Sequence, residues 1–232
     1  MNLVDSLLLL FPFLLGMMVT KAPREVRWPD WRRNRLSNKH KRIYQSNARK
    51  LIINAGRAFG KDHILFLRCI RMMFELYALR AVDPNWTRYG PVVLVGVYAP
   101  LANNFEQLWD RFKGMLPQMP GIAPGGGPQV KPYEKKGAYE VQIFGPNGIT
   151  ITFFSVFKGD SSRGNGYDIL LGTEVGFGSL RTLTHSLFKL VFRPDHAGIC
   201  MLNSSPPGLG SWWDKMIGGL RKHGKAFGSD DW

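Results

Sequence analysis

The stretch Leu51-Ile52-Ile53-Asn54-Ala55-Gly56-Arg57-Ala58-Phe59-Gly60-Lys61-Asp62 constrains the fold of this chain more than any other. Its apolar start suits a strand, its glycines a tight turn, and its end leads into a helix. Ile64, Leu65, Leu67, Ile70, Met73 and Phe74 recur at intervals of three and four, the spacing of a buried helical face. A strand, a glycine loop and a helix start in this order aim backbone N–H groups and a lysine at a polyphosphate. The pattern is imperfect: Ala55 stands where the first glycine belongs, and Asp62 where a serine or threonine would hold magnesium. An ordinary strand-to-helix turn is the alternative, and the downstream sequence has to decide between them.

A chain of 232 residues can bury one good core, which predicts a single folded domain. With 44% hydrophobic and 21% charged residues, the composition is that of a globular protein and argues against overall disorder. The net charge of +14 is unusual and unevenly placed. Residues 21 to 50 hold eleven Lys or Arg against Glu25 and Asp30, so nine of the fourteen excess charges lie there. A clustered positive field favours a polyanion, nucleic acid above all, through counterion release. A solvated basic face is the alternative.

The two cysteines, Cys69 and Cys200, sit in apolar surroundings without a CxxC partner or a zinc-site spacing, and read as reduced core thiols of a cytosolic protein. Ser6 to Thr20 is an uncharged run of fifteen residues, short of the roughly 20 needed to span a bilayer. Asp5 is the only charge before Lys21, where a signal peptide wants a basic start. A docking helix, or core packing interrupted by Pro12, suits this segment better than a membrane role.

Along the rest of the chain the spacing predicts a helix over about 61 to 80 and a buried strand over Pro91 to Val97. It then predicts a helix over Leu101 to Leu116 and a Pro- and Gly-rich flexible loop over 117 to 132. Tyr139 to Phe144 and Ile149 to Phe154 alternate around Pro146-Asn147-Gly148, a hairpin signal. Tyr167 to Leu171 reads as a short buried strand, Leu180 to Leu190 as a helix, Gly198 to Leu202 as a strand and Trp212 to Leu220 as a last helix. Strands alternating with helices predict an α/β fold with a mostly parallel sheet flanked by helices and an inserted β-hairpin.

A phosphate loop needs a second element, an acidic strand end that orients an attacking water. Ile169-Leu170-Leu171-Gly172-Thr173-Glu174 is the candidate of the right shape, about 110 residues after Lys61. An exposed glutamate at a strand end is the bland alternative. His63, His185 and His196 show no ligand spacing.

Taken in order, these pieces resemble the ATPase half of the tailed-phage terminase large subunit, a DNA-packaging motor of the P-loop NTPase type. Gly56 to Lys61 is similar to that family's arginine-containing Walker A loop. Val93 to Trp109, with Ala99-Pro100 and Gln107-Leu108-Trp109, is similar to its next strand–helix pair. Ser161-Ser162-Arg163-Gly164 before Tyr167-Asp168-Ile169-Leu170-Leu171 resembles its approach to Walker B. Leu202-Asn203-Ser204-Ser205-Pro206-Pro207-Gly208, with Trp212-Trp213 beyond, resembles its coupling motif and the aromatic that follows. The likeness spans about 50 to 216. It implies an apolar segment and basic arm over 1–49, an ATPase domain over 50–223, and a tail or truncated linker over 224–232 with the nuclease domain absent.

The resemblance implies ATP and Mg2+ as ligands. Residues Ala55, Gly56, Arg57, Ala58, Phe59, Gly60, Lys61 and Asp62 would wrap the phosphates, with Lys61 neutralising them. Glu174 would polarise the attacking water, Arg57 or Arg163 would stabilise transition-state charge, and Ser204 and Ser205 would couple phosphate loss to movement. The family has Ser or Thr after the Walker lysine and Asp before the catalytic glutamate, whereas this chain has Asp62 and Thr173. A compensated swap, with Asp62 on the metal and Thr173 as its hydrogen-bond partner, is one explanation; decay of the metal site is the other. The adenine-contacting glutamine is not identifiable, since the few residues between Gln45 and the strand are too short for the expected helix.

The leading function is therefore a translocase that drives double-stranded DNA into a procapsid. By resemblance it would act as a ring beside a portal protein and a small terminase subunit, in the cytoplasm of the infected host cell. A nucleic-acid-binding protein with an inactive nucleotide fold, or a helicase-like ATPase, is the alternative.

Overall fold

The computed structural model describes residues 36–82, 92–100, 102–115, 130–135, 138–144, 148–155, 166–193 and 196–223. The apolar run at 6–20, most of the basic arm, the glycine-rich stretch 117–129, Arg163 with its neighbours and the tail 224–232 lie outside the described residues.

In chain order the elements are α1 (Asn38–Gln45), β1 (Lys50–Asn54), α2 (Lys61–Val82), β2 (Val93–Ala99), α3 (Ala102–Met115), β3 (Val130–Lys135), β4 (Ala138–Ile143), β5 (Ile149–Ser155) and β6 (Ile169–Gly172). A π-helical turn (Thr182–Leu187) then runs into α4 (Phe188–Val191), followed by β7 (Phe192–Arg193), β8 (His196–Ala197), β9 (Ile199–Ser204) and α5 (Trp212–His223). Seven strands form one sheet in the order β1-β9-β6-β2-β5-β4-β3. The five from β1 to β5 in that order run parallel, and β4 and β3 add antiparallel. The expected hairpin of β4 and β5 is thus continuous with the main sheet, because β5 is also the parallel neighbour of β2.

Alternation along the parallel strands divides the core in two. Val93, Val95, Val97, Ile169, Leu171, Ile199 and Met201 face one side, where they pack with Ile64, Leu65, Leu67, Ile70 and Met73 of α2 and Trp109 and Phe112 of α3. Leu170, Cys200 and Leu202 face the other, against Leu183, Leu187 and Val191 and against Trp213 and Ile217 of α5. Both faces being covered, these strands read as unbroken apolar runs. Helix α2 is buried through residues 64–70, so it lies inside the molecule rather than on one face of it. Truncating a fully buried aliphatic here, such as Ile64, to alanine costs about 2–5 kcal/mol.

One helix lies outside the sequence expectations, one expected loop contains a strand, and one expected helix has a different internal geometry. Helix α1 precedes β1 and is short, with few apolar positions: of its eight residues only Ile43 and Tyr44 are buried. Ser37 caps it, its Oγ accepting from His40 N at 3.3 Å. Strand β3 begins at Val130, inside the stretch expected to be loop, because β4 offers it an edge to pair with. The helix expected over Leu180 to Leu190 opens into a π-turn, with Thr184 Oγ1 donating to the carbonyls of Leu180 (3.0 Å) and Arg181 (3.4 Å) in competition with the backbone ladder.

The link from α1 to β1 is tied down from inside. Arg68 of α2 is fully buried and donates through Nε to Ser46 O (3.1 Å) and through Nη2 to Ala48 O (2.5 Å). Burial, then the nearby Arg71 charge, pulls its pKa down to about 10, which leaves it cationic at neutral pH.

Candidate active site

Parallel strands deliver their carboxyl ends to one edge, where ligands of open α/β sheets bind. Asn54 pairs with Ser204, and Gly172 with Leu202 and Tyr98, so the loops after β1, β9 and β6 leave the sheet side by side. Strand β9 lies between β1 and β6. Asn203, Ser204 and Ser205 therefore sit between the helix start after β1 and the acid after β6.

The loop after β1 makes a short turn over Arg57–Phe59, then Gly60 takes φ 74° before α2 starts at Lys61. A side chain is disfavoured in that left-handed conformation, which explains the glycine. Gly56, Arg57 and Ala58 are exposed, and a Cβ added at Gly56 would meet nothing within 4 Å. The first N–H groups of α2 have no acceptor within the helix, so they are available to an anion. Behind the loop, His40 Nε2 donates to Phe59 O at 2.7 Å, since the carbonyl can only accept, and its ring meets the Phe59 ring edge-on at 4.7 Å.

Lys61 is 3% exposed, and its Nζ lies 2.8 Å from Glu174 Oε1 and 3.0 Å from Ser205 Oγ. The lysine and the carboxylate expected to work on the same phosphates are therefore in direct contact. Glu174 sits at φ 50°, ψ 35°, a left-handed backbone that non-glycine residues take at a cost. Its conformation is held from β9: Glu174 N donates to Asn203 Oδ1 (3.2 Å), Ser205 N donates to Oε2 (2.7 Å) and Ser205 Oγ to Oε1 (2.9 Å). Burial works to raise the Glu174 carboxyl, but the bond from Lys61, the two bonds from Ser205 and the lysine charge outweigh it and hold the group below its ordinary value.

The two departures noted in the sequence meet in space. Thr173 Oγ1 donates to Asp62 Oδ1 at 2.7 Å, and Asn203 Nδ2 donates to the same oxygen at 2.9 Å. The other oxygen, Oδ2, faces Arg111 Nη1 at 3.5 Å. Among the described residues no group of three or more His, Cys, Asp or Glu could hold a metal ion. A magnesium ion at Asp62 would draw its remaining oxygens from phosphates and water, which is how that ion is usually held. The donor set fits a magnesium–nucleotide: one hard carboxylate oxygen, a buried lysine and a free helix start.

Ser204 Oγ accepts from Gly176 N (3.2 Å) and donates to Ser205 O (2.7 Å), joining the loops after β6 and β9. Gly176 permits this approach, since a Cβ there would lie 2.6 Å from Ser204 Oγ and 2.9 Å from Trp213. Trp213, fully buried, donates to Asn54 Oδ1 at 3.0 Å, and Trp212 donates to Gly178 O at 2.9 Å.

Of the residues singled out in the sequence, Lys61, Asp62, Thr173, Glu174, Ser204 and Ser205 are brought together. Ala55, Gly56, Ala58, Phe59 and Gly60 form the adjoining loop, and Arg57 lies exposed on it. Arg163 lies outside the described residues. Sequence reasoning missed Asn203, Arg111 and His40. Asn203 carried a usable signal, a polar residue at the end of an apolar strand; the other two carried none.

Solved structures share this arrangement of strands and helices. The ATPase domain of the large terminase from Thermus phage P74-26 superposes with a TM-score of 0.54 at 16% identity, covering 87% of this chain and 71% of that one. The fold is that of the large terminase ATPase domains. The HK97 bacteriophage large terminase matches with a TM-score of 0.55 at 12% identity, over 81% of this chain and 37% of that one. A large terminase from a thermophilic bacteriophage, solved in complex with ATP-gamma-S, matches with a TM-score of 0.50 at 15% identity, over 80% and 42%. No family model matches the sequence, and no curated protein does either. The terminase ATPase fold is thus shared at the level of architecture, at sequence identities of 16% or less in these matches.

Proposed function

We propose that this chain is an ATP-hydrolysing motor module that moves double-stranded DNA into a viral procapsid. The observation that carries the proposal is the contact of Lys61 with Glu174 at the carboxyl edge of a sheet with the terminase ATPase architecture. A buried lysine at a helix start, behind a glycine loop at the carboxyl edge of a parallel sheet, is the arrangement that receives phosphate groups.

In this reading the loop 55–60 and the first N–H groups of α2 cradle the phosphates, and Lys61 turns from Glu174 to neutralise them. Asp62 would hold Mg2+, which would supply charge neutralisation of the phosphate oxygens. Glu174, released from Lys61, takes the proton of the attacking water. Before that release the bonds from Lys61 and Ser205 hold its carboxyl below the ordinary value, and losing the Lys61 contact removes part of that lowering and makes the carboxylate a better proton acceptor. Ser205 and Asn203 hold the Glu174 side chain and backbone from β9, so a change in the Glu174 bonds is felt by that strand and by the loop leading to α5. Arg57 and Arg163 are assigned the transition-state charge, and a ring of copies beside a portal protein and small terminase subunit is the working assembly. The basic segment 21–50 supplies the electrostatic attraction to DNA.

ATP turnover measured with and without duplex DNA tests this, with Lys61→Ala and Glu174→Gln as controls. DNA-stimulated turnover is expected, with nucleotide binding lost in Lys61→Ala and kept in Glu174→Gln. Failure of the intact chain to bind ATP would leave the alternative, a nucleic-acid-binding protein with an inactive nucleotide fold. Strand separation in place of movement along intact duplex would make it helicase-like.

A further inference from the structure

We infer that Oδ2 of Asp62 is the metal-facing oxygen of this site, and that Arg111 is the built-in cation that fills the position until a divalent ion displaces it. The inference rests on the proposed nucleotide site and assigns a residue to it that the sequence pattern did not suggest.

A carboxylate offers about four lone-pair positions, two on each oxygen. At Asp62 both positions of Oδ1 are taken by neutral donors, Thr173 Oγ1 at 2.7 Å and Asn203 Nδ2 at 2.9 Å. These two bonds come from the ends of different strands, β6 and β9, and so fix the carboxylate plane. Oδ2 meets Arg111 Nη1 at 3.5 Å, the limit of a hydrogen bond. The Asp62 side chain keeps 20% of its exposure, so it is not sealed from solvent.

Arg111 reaches Asp62 from α3, an element separate from both the phosphate loop and the acid strand, and its side chain is 60% exposed. An exposed ion pair of this length is weak. A divalent cation, with twice the charge and a shorter bond to oxygen, replaces it without disturbing the two bonds on Oδ1. The arginine also answers a problem that the swapped carboxylate creates. Asp62 places a negative charge on the first turn of the helix that is to receive phosphates, and Arg111 screens that charge while no metal is bound.

The test is a titration of the full chain with Mn2+ alone, read by the electron paramagnetic resonance of the free ion, without nucleotide. Arg111→Gln should tighten Mn2+ binding by about two- to fivefold, the size expected for loss of one exposed ion pair. Arg111→Lys should bind near the wild-type affinity, and Asp62→Asn should abolish saturable binding. Unchanged affinity in Arg111→Gln, with binding still lost in Asp62→Asn, overturns the competition and leaves Asp62 as a ligand. Binding that survives in Asp62→Asn overturns both. No saturable binding in any variant, Arg111→Gln included, also overturns the inference. Arg111 being an exposed helix position, its substitution leaves the fold intact, and the comparison is made on folded protein.

Discussion

The hydroxyl of Thr173 donates to Asp62 Oδ1 at 2.7 Å, joining the end of β6 to the start of α2 across 111 residues of chain. Each of these residues occupies the place where a terminase-like pattern has the other's chemical type, and the geometry keeps them as one bonded pair. The double exchange Asp62→Thr with Thr173→Asp is therefore expected to recover activity that each single exchange loses. The coupling in a double-mutant cycle on ATP turnover should reach about 0.5–3 kcal/mol, as for other directly bonded pairs. Strict additivity would show that the pair does not act as a unit.

Acid should weaken the fold through Glu174. Its carboxyl lies below the ordinary value when folded, because Lys61 and Ser205 bond it against the effect of burial. The unfolded chain binds that proton more readily, so the stabilisation is complete above about pH 4.3 and is lost as pH falls through the lowered folded value. Glu174→Gln removes this contribution. Urea midpoints taken from neutral pH to about pH 3 should fall more steeply for the native chain than for the variant below about pH 4.3. Parallel curves would refute the assignment.

Neither cysteine should react in the native protein. Burial pushes the thiols of both Cys69 and Cys200 up to about 12, with the nearby Arg68 and Lys50 charges opposing it only in part. The nucleophile is the thiolate, which is scarce at such values. A maleimide at about pH 7 should label two thiols in denaturant and none without it. Rapid labelling of native protein would contradict the packing of α2 or of β9.

Arg68→Met tests the clamp between α2 and the α1–β1 link. The substitution keeps the apolar stem and deletes the bonds to Ser46 O and Ala48 O. Bonds to a charged donor are worth about 1.5–3 kcal/mol, while the buried Nη1, which lacks a partner, already subtracts from the total. A net loss of about 2 kcal/mol in equilibrium unfolding is expected. A change under about 0.5 kcal/mol, the range of neutral surface substitutions, would show that the clamp does not stabilise the fold.

The elements that carry strong periodicity were legible in the sequence. Ile64 to Met73 marked α2, Val93 to Val97 marked β2, and the alternation around Gly148 marked the β4–β5 hairpin. Each is long or regular enough for burial to leave its own pattern. Helix α1 was not legible, since eight residues with only Ile43 and Tyr44 buried are too few for a count of apolar spacing. Strand β3 was hidden because its pairing is decided by β4, a neighbour along the chain that contributes an edge and no pattern to Val130–Lys135.

At the site the division has the same cause. Local chemistry set Lys61 at a helix start behind two glycines and Glu174 just past a buried strand, because each depends on the few residues around it. What the chain order does not contain is that β9 enters between β1 and β6, which is decided when the whole sheet assembles. That insertion brings Ser205 beside the lysine–glutamate contact and Asn203 onto Asp62 and the Glu174 backbone, and α3 brings Arg111 to the second oxygen of Asp62. Sequence thus determined which groups are present and what each can do. Their distances, and hence which of them hold one another, follow from non-local strand order and burial, to which every element contributes at once.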